Sequence, residues 1–241
     1  MRPALLLLLL AAVVHLPSNA ASNKRPLDQV ESGVAALERR HYATAMRAWL
    51  QDAKKGNALA QSNVGYLYER GYGVDQSYVE AMAWYRKAAD QNLPQAQFNI
   101  GTLYYYGFGV EKNIREAESW FLRAAKQGLV NAEYMMGVLL HENRKSRAER
   151  RAALDWFVKA AARGYVQAQL MAAVLYQSDV DGSPDDFKAY VWADVASRNG
   201  SGEAGLVRDY ASFKLNRAQI EKARKASGRC SDSRFTECPS R

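Results

Sequence analysis

Apolar and small residues recur along the chain in two alternating helical patterns. The first places Ala60, Val64, Leu67 and Tyr68 at i, i+4, i+7 and i+8, which is one face of an α-helix. The second alternates small residues with large rings at helical spacing, at Ala81, Trp84, Tyr85, Ala88 and Ala89. The chain is therefore expected to alternate between two kinds of helix, which we call first-type and second-type helices.

Both patterns return after 36 residues. The run Ala60 to Gly65 reappears as Ala96 to Gly101, and tryptophan recurs at the same step, at Trp84, Trp120, Trp156 and Trp192. A pair of helices cannot bury its apolar faces alone, so the units are expected to stack into an all-α solenoid in which the four tryptophans are equivalent. Glycine inside a helix costs about 1 kcal/mol relative to alanine, so a recurring glycine column predicts close approach of another helix, at Gly65, Gly101 and Gly137.

The two ends of the repeat array predict capping elements. A shortened helical pair is expected over 31–56, with Trp49 in the second-type pattern. Leu206, Tyr210 and Phe213 predict the apolar face of a last first-type helix, after which Asn216 is expected to cap a Lys/Arg-rich helix. The count is about twelve helices. The predicted organisation is a leader at 1–20, a linker at 21–30, the capping pair at 31–56, repeats at 57–213, a capping helix at 214–229 and a tail at 230–241.

The N-terminal segment predicts export. A positive start is followed by an apolar run from Ala4 to Val14 and then by Ser18-Asn19-Ala20, which is typical of a secretory signal peptide cleaved after Ala20. The alternative is an uncleaved anchor, but the run is shorter than the ~20 residues that a bilayer span needs. The mature protein is therefore expected in the periplasm or secreted, where Cys230 and Cys238 can form a structural disulfide.

The units resemble the Sel-1-like repeat, a short relative of the tetratricopeptide repeat. The resemblance is carried by the first-type helix, a Gly-x-Gly-Val loop at Gly71–Val74 and Gly107–Val110, and the Ala-x-x-Trp-Tyr/Phe-x-x-Ala-Ala helix. It implies a right-handed α-solenoid of antiparallel helix pairs over 57–213, whose first-type helices line a concave groove. The segments 141–151 and 177–186 keep the loop's length but lack its glycines.

Positions one step off the apolar face of the first-type helices are expected to line that groove. Tyrosine and asparagine are suited to holding an extended peptide of another protein. The alternative is that some of these positions belong to the core between units. The predicted partner-binding residues are Asn63, Tyr66, Asn99, Thr102, Tyr105 and Tyr106.

Charge suggests a different class of partner. With 33 Lys+Arg against 25 Asp+Glu the net charge is +8. Basic patches on a surface can bind acidic polysaccharide, peptidoglycan or anionic lipid, but a solvated surface without a partner is the favoured explanation. Export argues against nucleic acid. The basic residues concentrate in 214–241 and in a cluster formed by Arg144, Lys145, Arg147, Arg150 and Arg151.

Candidate chemistry is sparse. Nucleophile and metal-binding motifs are absent, and three histidines and two cysteines leave little for a metal site, so neither a cofactor nor an enzymatic activity is predicted. Some cysteine-rich relatives of the repeat family bind or hydrolyse β-lactams, but they carry a cysteine pair in each repeat. This chain has no cysteine between Ser22 and Arg229. The function expected from the sequence is an adaptor or envelope assembly factor.

Overall fold

A computed structural model describes residues 29–143, 146–178 and 183–239. The predicted signal peptide lies outside these residues. The described residues contain twelve α-helices and no strand, so the all-α class and the helix count are confirmed. The helices are α1 Gln29–Glu38, α2 Tyr42–Lys54, α3 Ala58–Arg70, α4 Tyr78–Ala89, α5 Pro94–Tyr106, α6 Ile114–Lys126, α7 Val130–Asn143, α8 Arg147–Ala161, α9 Val166–Gln177, α10 Asp186–Arg198, α11 Ala204–Lys214 and α12 Arg217–Asp232.

The chain divides into two compact units after Gln127, a division that the repeat pattern did not predict. In the first unit each helix from α1 to α6 packs against the next one along the chain. In the second unit α7 to α11 continue this order. Sequential packing of helix pairs is the arrangement of an α-solenoid, as the repeats predict.

Positive backbone φ angles end the helices where glycine or asparagine recurs. The φ angle is 66° at Gly71 and 77° at Gly107, which close α3 and α5. Asn92 ends the α4 segment with φ 61°, and Gly128 has φ 81° in the corresponding place of the next repeat. Glycine and asparagine adopt these left-handed conformations at low cost, so they let the chain leave each helix.

The recurring glycines of the first-type helices lie against aromatic rings of the second-type helix in the same repeat. A Cβ atom on Gly65 would lie 2.8 Å from the Tyr85 ring, and one on Gly101 would lie 2.8 Å from the Phe121 ring. Real Cβ atoms do not approach so closely, so only glycine allows these rings to be fully buried. The predicted close approach is confirmed.

Buried amides in the first and fourth repeats connect a first-type helix to the helix before it and to the segment that follows the next helix. The Gln61 side chain donates to the carbonyl of Ala53 at 3.1 Å and accepts from Gln91 at 2.8 Å. Gln169, in the second unit, makes the same two kinds of bond, to the Ala161 carbonyl and from Asn199. Each bond satisfies a polar group that would otherwise be buried alone, so the amides fix the position of one helix against another.

Three of the four recurring tryptophans are equivalent, and the fourth is different. Trp84, Trp120 and Trp156 are half-buried, and each has a cation over its ring from the residue three positions later. Trp192 is fully buried instead and donates from Nε1 to the carbonyl of Pro239 at 2.9 Å. Full equivalence is therefore wrong, because the C-terminal segment covers the last tryptophan.

The C-terminal helix α12 packs against α10. Asn216 caps it, as predicted, but the helix continues to Asp232 and so includes Cys230. The buried carboxylate of Asp194 on α10 accepts from the Ser227 hydroxyl at 2.6 Å and from Arg198 Nε at 2.9 Å. This contact joins α12 to the array.

The prediction for the face of α11 is wrong. The helix exists, but its buried residues are Ala204 and Ala211, whereas Leu206, Tyr210 and Phe213 are exposed. Adding multiples of 36 to Ala60 and Leu67 leads to Ala204 and Ala211, so the repeat period identifies the buried face correctly. The larger apolar residues lie on the opposite side of the helix.

Candidate functional site

The six predicted partner-binding residues all lie on α3 and α5 in the first unit, at two depths. Asn63, Asn99 and Thr102 are buried, with 4%, 3% and 7% of their surface exposed. The remaining three, Tyr66, Tyr105 and Tyr106, are half-buried. The face therefore has a polar floor beneath aromatic side chains, and we call it the α3–α5 face.

A carboxylate that the sequence reasoning missed lies on the same face. Glu69 is half-buried one turn after Tyr66, and its Oε2 accepts a hydrogen bond from the Tyr85 hydroxyl at 2.7 Å. Asn99 also forms a side-chain hydrogen bond with Tyr85. The Tyr85 hydroxyl, at the end of a fully buried side chain, therefore connects the floor of the face to Glu69.

Burial raises the pKa of the Glu69 carboxyl above its ordinary value, although the Tyr85 hydroxyl and Arg70 act in the opposite direction. Burial raises the pKa of Tyr66 as well. Both shifts arise because the charged form loses hydration. The period of 36 places Glu69 in the same column as Tyr105, and this was the signal available in the sequence.

Aromatic rings from the glycine loops extend the α3–α5 face. Tyr72 stacks on Tyr42 with ring centroids 4.3 Å apart and meets the edge of Tyr66 at 6.0 Å. One repeat later, Phe108 stacks on Tyr78 at 4.9 Å and on Tyr106 at 5.3 Å. Both loop rings contact the second-type helix of the preceding helical pair.

The loop glycines explain why these rings can stack. A Cβ atom on Gly73 would lie 2.8 Å from backbone atoms of Tyr42 and Ala43, and one on Gly109 would lie 2.5 Å from Tyr78 Cβ. Both glycines also have positive φ. The loop backbone can therefore approach the start of the preceding second-type helix only with glycine at these positions.

Cations flank the aromatic groups. The Arg70 guanidinium lies 5.7 Å from the centroid of the Tyr72 ring, and Lys112 Nζ lies 5.7 Å from that of Tyr105. Arg70 occupies the repeat position that Tyr106 occupies one unit later, and both side chains lie against the loop ring. The face thus combines aromatic surface with one carboxylate and two cations.

The predicted basic cluster lies in the second unit at the start of α8. Arg147 and Arg151 are exposed and Arg150 is half-buried, while Arg144 and Lys145 lie outside the described residues. Ser146 caps this helix in a capping box with Glu149. Two pockets of the second unit, one beside Pro184 and one beside Arg224, are lined by other residues than these arginines.

Cys230, in the last turn of α12, forms a disulfide with Cys238 in the segment that follows the helix. Within residues 29–143, 146–178 and 183–239, no three His, Cys, Asp or Glu side chains are grouped so that they could hold a metal ion. None of the helices in these ranges combines the length and apolar character that a bilayer crossing requires.

Comparison with known proteins identifies the repeats. The family model described as Sel1 repeat matches residues 58–93, 94–129, 130–165 and 166–201, which is more than half of the chain. No curated protein sequence matches significantly. The four matches have the period of 36 residues that the helical patterns predict.

Two solved structures are similar. A Sel1 repeat protein from Oxalobacter formigenes has a TM-score of 0.69 and 30% sequence identity, over 87% of this chain and 85% of that chain. A protective antigen present in uropathogenic Escherichia coli strains, displaying an SLR fold, has a TM-score of 0.51 and 25% identity over 82% of this chain. The match spans 50% of the antigen's own length. The four matching repeats and the helical fold show that the chain belongs to the Sel1 repeat family.

Proposed function

We propose that this protein is an exported, non-catalytic adaptor or envelope assembly factor that holds an extended segment of another protein on the α3–α5 face. The Sel1 repeat fold commonly serves as a scaffold for protein interaction. The observation that carries the proposal is the half-buried group Tyr66, Glu69, Tyr105 and Tyr106 above a buried polar floor.

The chemistry of the face suits a peptide. Tyrosine rings offer apolar contact area together with a hydroxyl, and few of their torsions have to be ordered on binding. Stacking of Phe108 on Tyr106 and of Tyr72 on Tyr42 further restricts the surrounding rings before a partner arrives. Glu69 offers an acceptor for a backbone N–H or a basic side chain of the partner.

Export is supported by the disulfide between Cys230 and Cys238, because disulfides persist mainly outside the reducing cytoplasm. The apolar run from Ala4 to Val14 supports it independently as the expected signal peptide. The periplasm, or the medium after secretion, is therefore the proposed location. The partner is expected to be another protein of that compartment.

Photo-crosslinking in intact cells tests the proposal. A photoreactive amino acid replaces Tyr66 or Tyr105 in separate variants, and a matched control variant carries it at Val79, which is exposed on α4. Both groove positions are expected to crosslink to the same protein, identified by mass spectrometry, and Val79 is not. Equal yields of the same product at all three positions, or no product at Tyr66 and Tyr105, would contradict the proposal.

Two alternatives from the sequence remain testable. If Arg147, Arg150 and Arg151 bind peptidoglycan, acidic polysaccharide or anionic lipid, replacing all three with Glu abolishes co-sedimentation with the polymer or with anionic vesicles at low salt.

If the protein acted on β-lactams, the purified chain would hydrolyse nitrocefin. We expect no turnover, since both cysteines are in one disulfide outside the repeats.

A further inference from the structure

The exposed apolar residues of α11 form a continuous stripe. Leu206, Tyr210 and Phe213 are 76%, 54% and 87% exposed, and their spacing of i, i+4 and i+7 places them on one side of the helix. The buried Ala204 and Ala211 lie on the opposite side. We call these three residues the α11 stripe. Scattered exposed apolar residues are ordinary, but a contiguous group of large ones marks an interaction site.

The course of the chain leaves the stripe uncovered. α11 is the last first-type helix, and the chain then turns so that α12 packs against α10. Val174, 36 residues before Tyr210, is also partly exposed, at 37%. The apolar surface at this end of the second unit is thus larger than the last helix alone.

Charges beside the stripe have opposite signs at the two ends of the helix. Glu203 precedes α11 and Lys214 ends it, and both are exposed. Eleven residues separate them, so they lie within about 20° of one another around the helix axis, on the same flank of the stripe. Lys214 Nζ lies 6.0 Å from the centroid of the Tyr210 ring, which confirms that its side chain borders the stripe.

We propose that the α11 stripe binds the same stripe of a second copy of this chain, with the two helices antiparallel. In an antiparallel arrangement with two-fold symmetry, a flank of the stripe in one copy faces the same flank of the other copy, while the helix direction is reversed. Glu203 of one copy therefore faces Lys214 of the other at both ends of the contact. Leu206 packs on Phe213 of the other copy, and the two Tyr210 rings meet near the centre. A parallel two-fold arrangement would instead place Glu203 and Lys214 against the opposite flank of the other copy, so neither would face the other.

The other flank of the stripe carries Asp209, which a two-fold axis brings near its equivalent in the second copy. Repulsion between the two carboxylates is limited because Asp209 accepts two hydrogen bonds from its own neighbour Arg208, at 2.9 Å and 3.1 Å. The charge pattern of α11 is therefore complementary to itself in the antiparallel orientation.

The oligomeric state of the purified, disulfide-bonded protein tests the stripe. Sedimentation equilibrium at increasing protein concentration is expected to show a monomer–dimer equilibrium. Replacing Leu206 and Phe213 with Ser should weaken association by a factor of about ten or more. A matched variant with Ser at the exposed Val79 of α4 should dimerise as the original does. A protein that stays monomeric at all concentrations, or an unchanged equilibrium in the stripe variant, would overturn the proposal.

Charge exchange tests the orientation. Glu203→Lys alone and Lys214→Glu alone each create two like-charge contacts, so each variant is expected to be mainly monomeric. Mixing the two variants brings a lysine opposite a glutamate at both ends of the antiparallel pair, so a heterodimer is expected. Failure of the mixture to associate while the original protein dimerises would rule out the antiparallel contact. Circular dichroism and thermal unfolding confirm that each variant is folded.

Discussion

Glu133 and Arg163 form a charged pair at a place where the other repeats have a pair of amides. Arg163 lies 3.3 Å from the Glu133 carboxylate, thirty residues earlier along the chain, just as Gln91 bonds Gln61 and Asn199 bonds Gln169. Glu133 is fully buried. The third repeat has thus changed both members of the pair together, and the arginine compensates a carboxylate that replaces an amide.

Removing Arg163 alone is expected to destabilise the protein. Arg163→Gln leaves the buried carboxylate with Lys159, at 3.1 Å, as its remaining cation, and the cost of an imperfectly compensated buried charge is about 1–3 kcal/mol. The loss is measured as the change in the free energy of unfolding by urea.

The double variant Glu133→Gln with Arg163→Gln is the matched control, because it recreates the amide pair of the neighbouring repeats. We expect it to recover most of the stability lost in the single variant. If the losses in the free energy of unfolding caused by Glu133→Gln alone and by Arg163→Gln alone add up in the double variant, the two residues do not act as a pair.

Gly101→Ala is expected to destabilise the protein by about 1–3 kcal/mol, because the new Cβ atom would lie 2.8 Å from the buried Phe121 ring. Gly228 is the matched control. It lies within α12 with nothing within 4 Å of its Cβ position, so Gly228→Ala should stabilise by about 0.5–1 kcal/mol through helix propensity. Gly101→Ala is therefore expected to lower the Tm and Gly228→Ala to raise it. The same shift of Tm in both variants would refute the packing explanation.

The disulfide is expected to stabilise the C-terminal end of the second unit. It restrains the segment whose Pro239 carbonyl accepts from Trp192, and a loop of this size restricts the unfolded chain by roughly 2–3 kcal/mol. A reductant should therefore lower the Tm of the original protein. The variant with Ser at both Cys230 and Cys238 should already have the lower Tm, and reductant should not lower it further. If reductant lowers the Tm of both proteins equally, the stabilisation does not come from this disulfide.

Glu69 should make stability depend on pH. Burial raises the pKa of Glu69 in the folded state above its value in the unfolded chain, so the folded state binds the proton more tightly. The free energy of unfolding is therefore highest below the unfolded pKa and falls as the pH rises through the folded pKa. Glu69→Gln removes this titration. The stability of the original relative to the variant should therefore be greatest in acid and fall towards neutral pH. A constant difference across this range would contradict the shift.

The repeat period predicted most of the fold but not the depth of each side chain. It correctly placed the glycine column because each of these glycines contacts a ring of the same repeat. It could not show that Asn63, Asn99 and Thr102 are buried, since burial depends on what packs above a position. Glu69 was missed for a related reason, as its importance comes from Tyr85, sixteen residues away.

The C-terminal end of the array was predicted less well, although the period extended to α11 identifies its buried face. On α11 the larger apolar residues suggested a buried face, whereas the buried residues are the alanines Ala204 and Ala211. Trp192 differs from the other tryptophans through the chain that follows α12. Both differences arise where a helix has no following repeat and the C-terminal segment replaces it.

The glycine-to-ring contacts restrict how such a gene can be recombined. Gly137 faces Phe157, whereas the corresponding residues of the fourth repeat, Ala173 and Ala193, are both alanine and both buried. A crossover that separates Gly137 from Phe157 would set the methyl group of an alanine against the Phe157 ring, or would leave a void between Gly137 and an alanine. Exchanges between the third and fourth repeats therefore have to keep the segment from Gly137 to Phe157 together, so that each position is inherited with the partner that fits it.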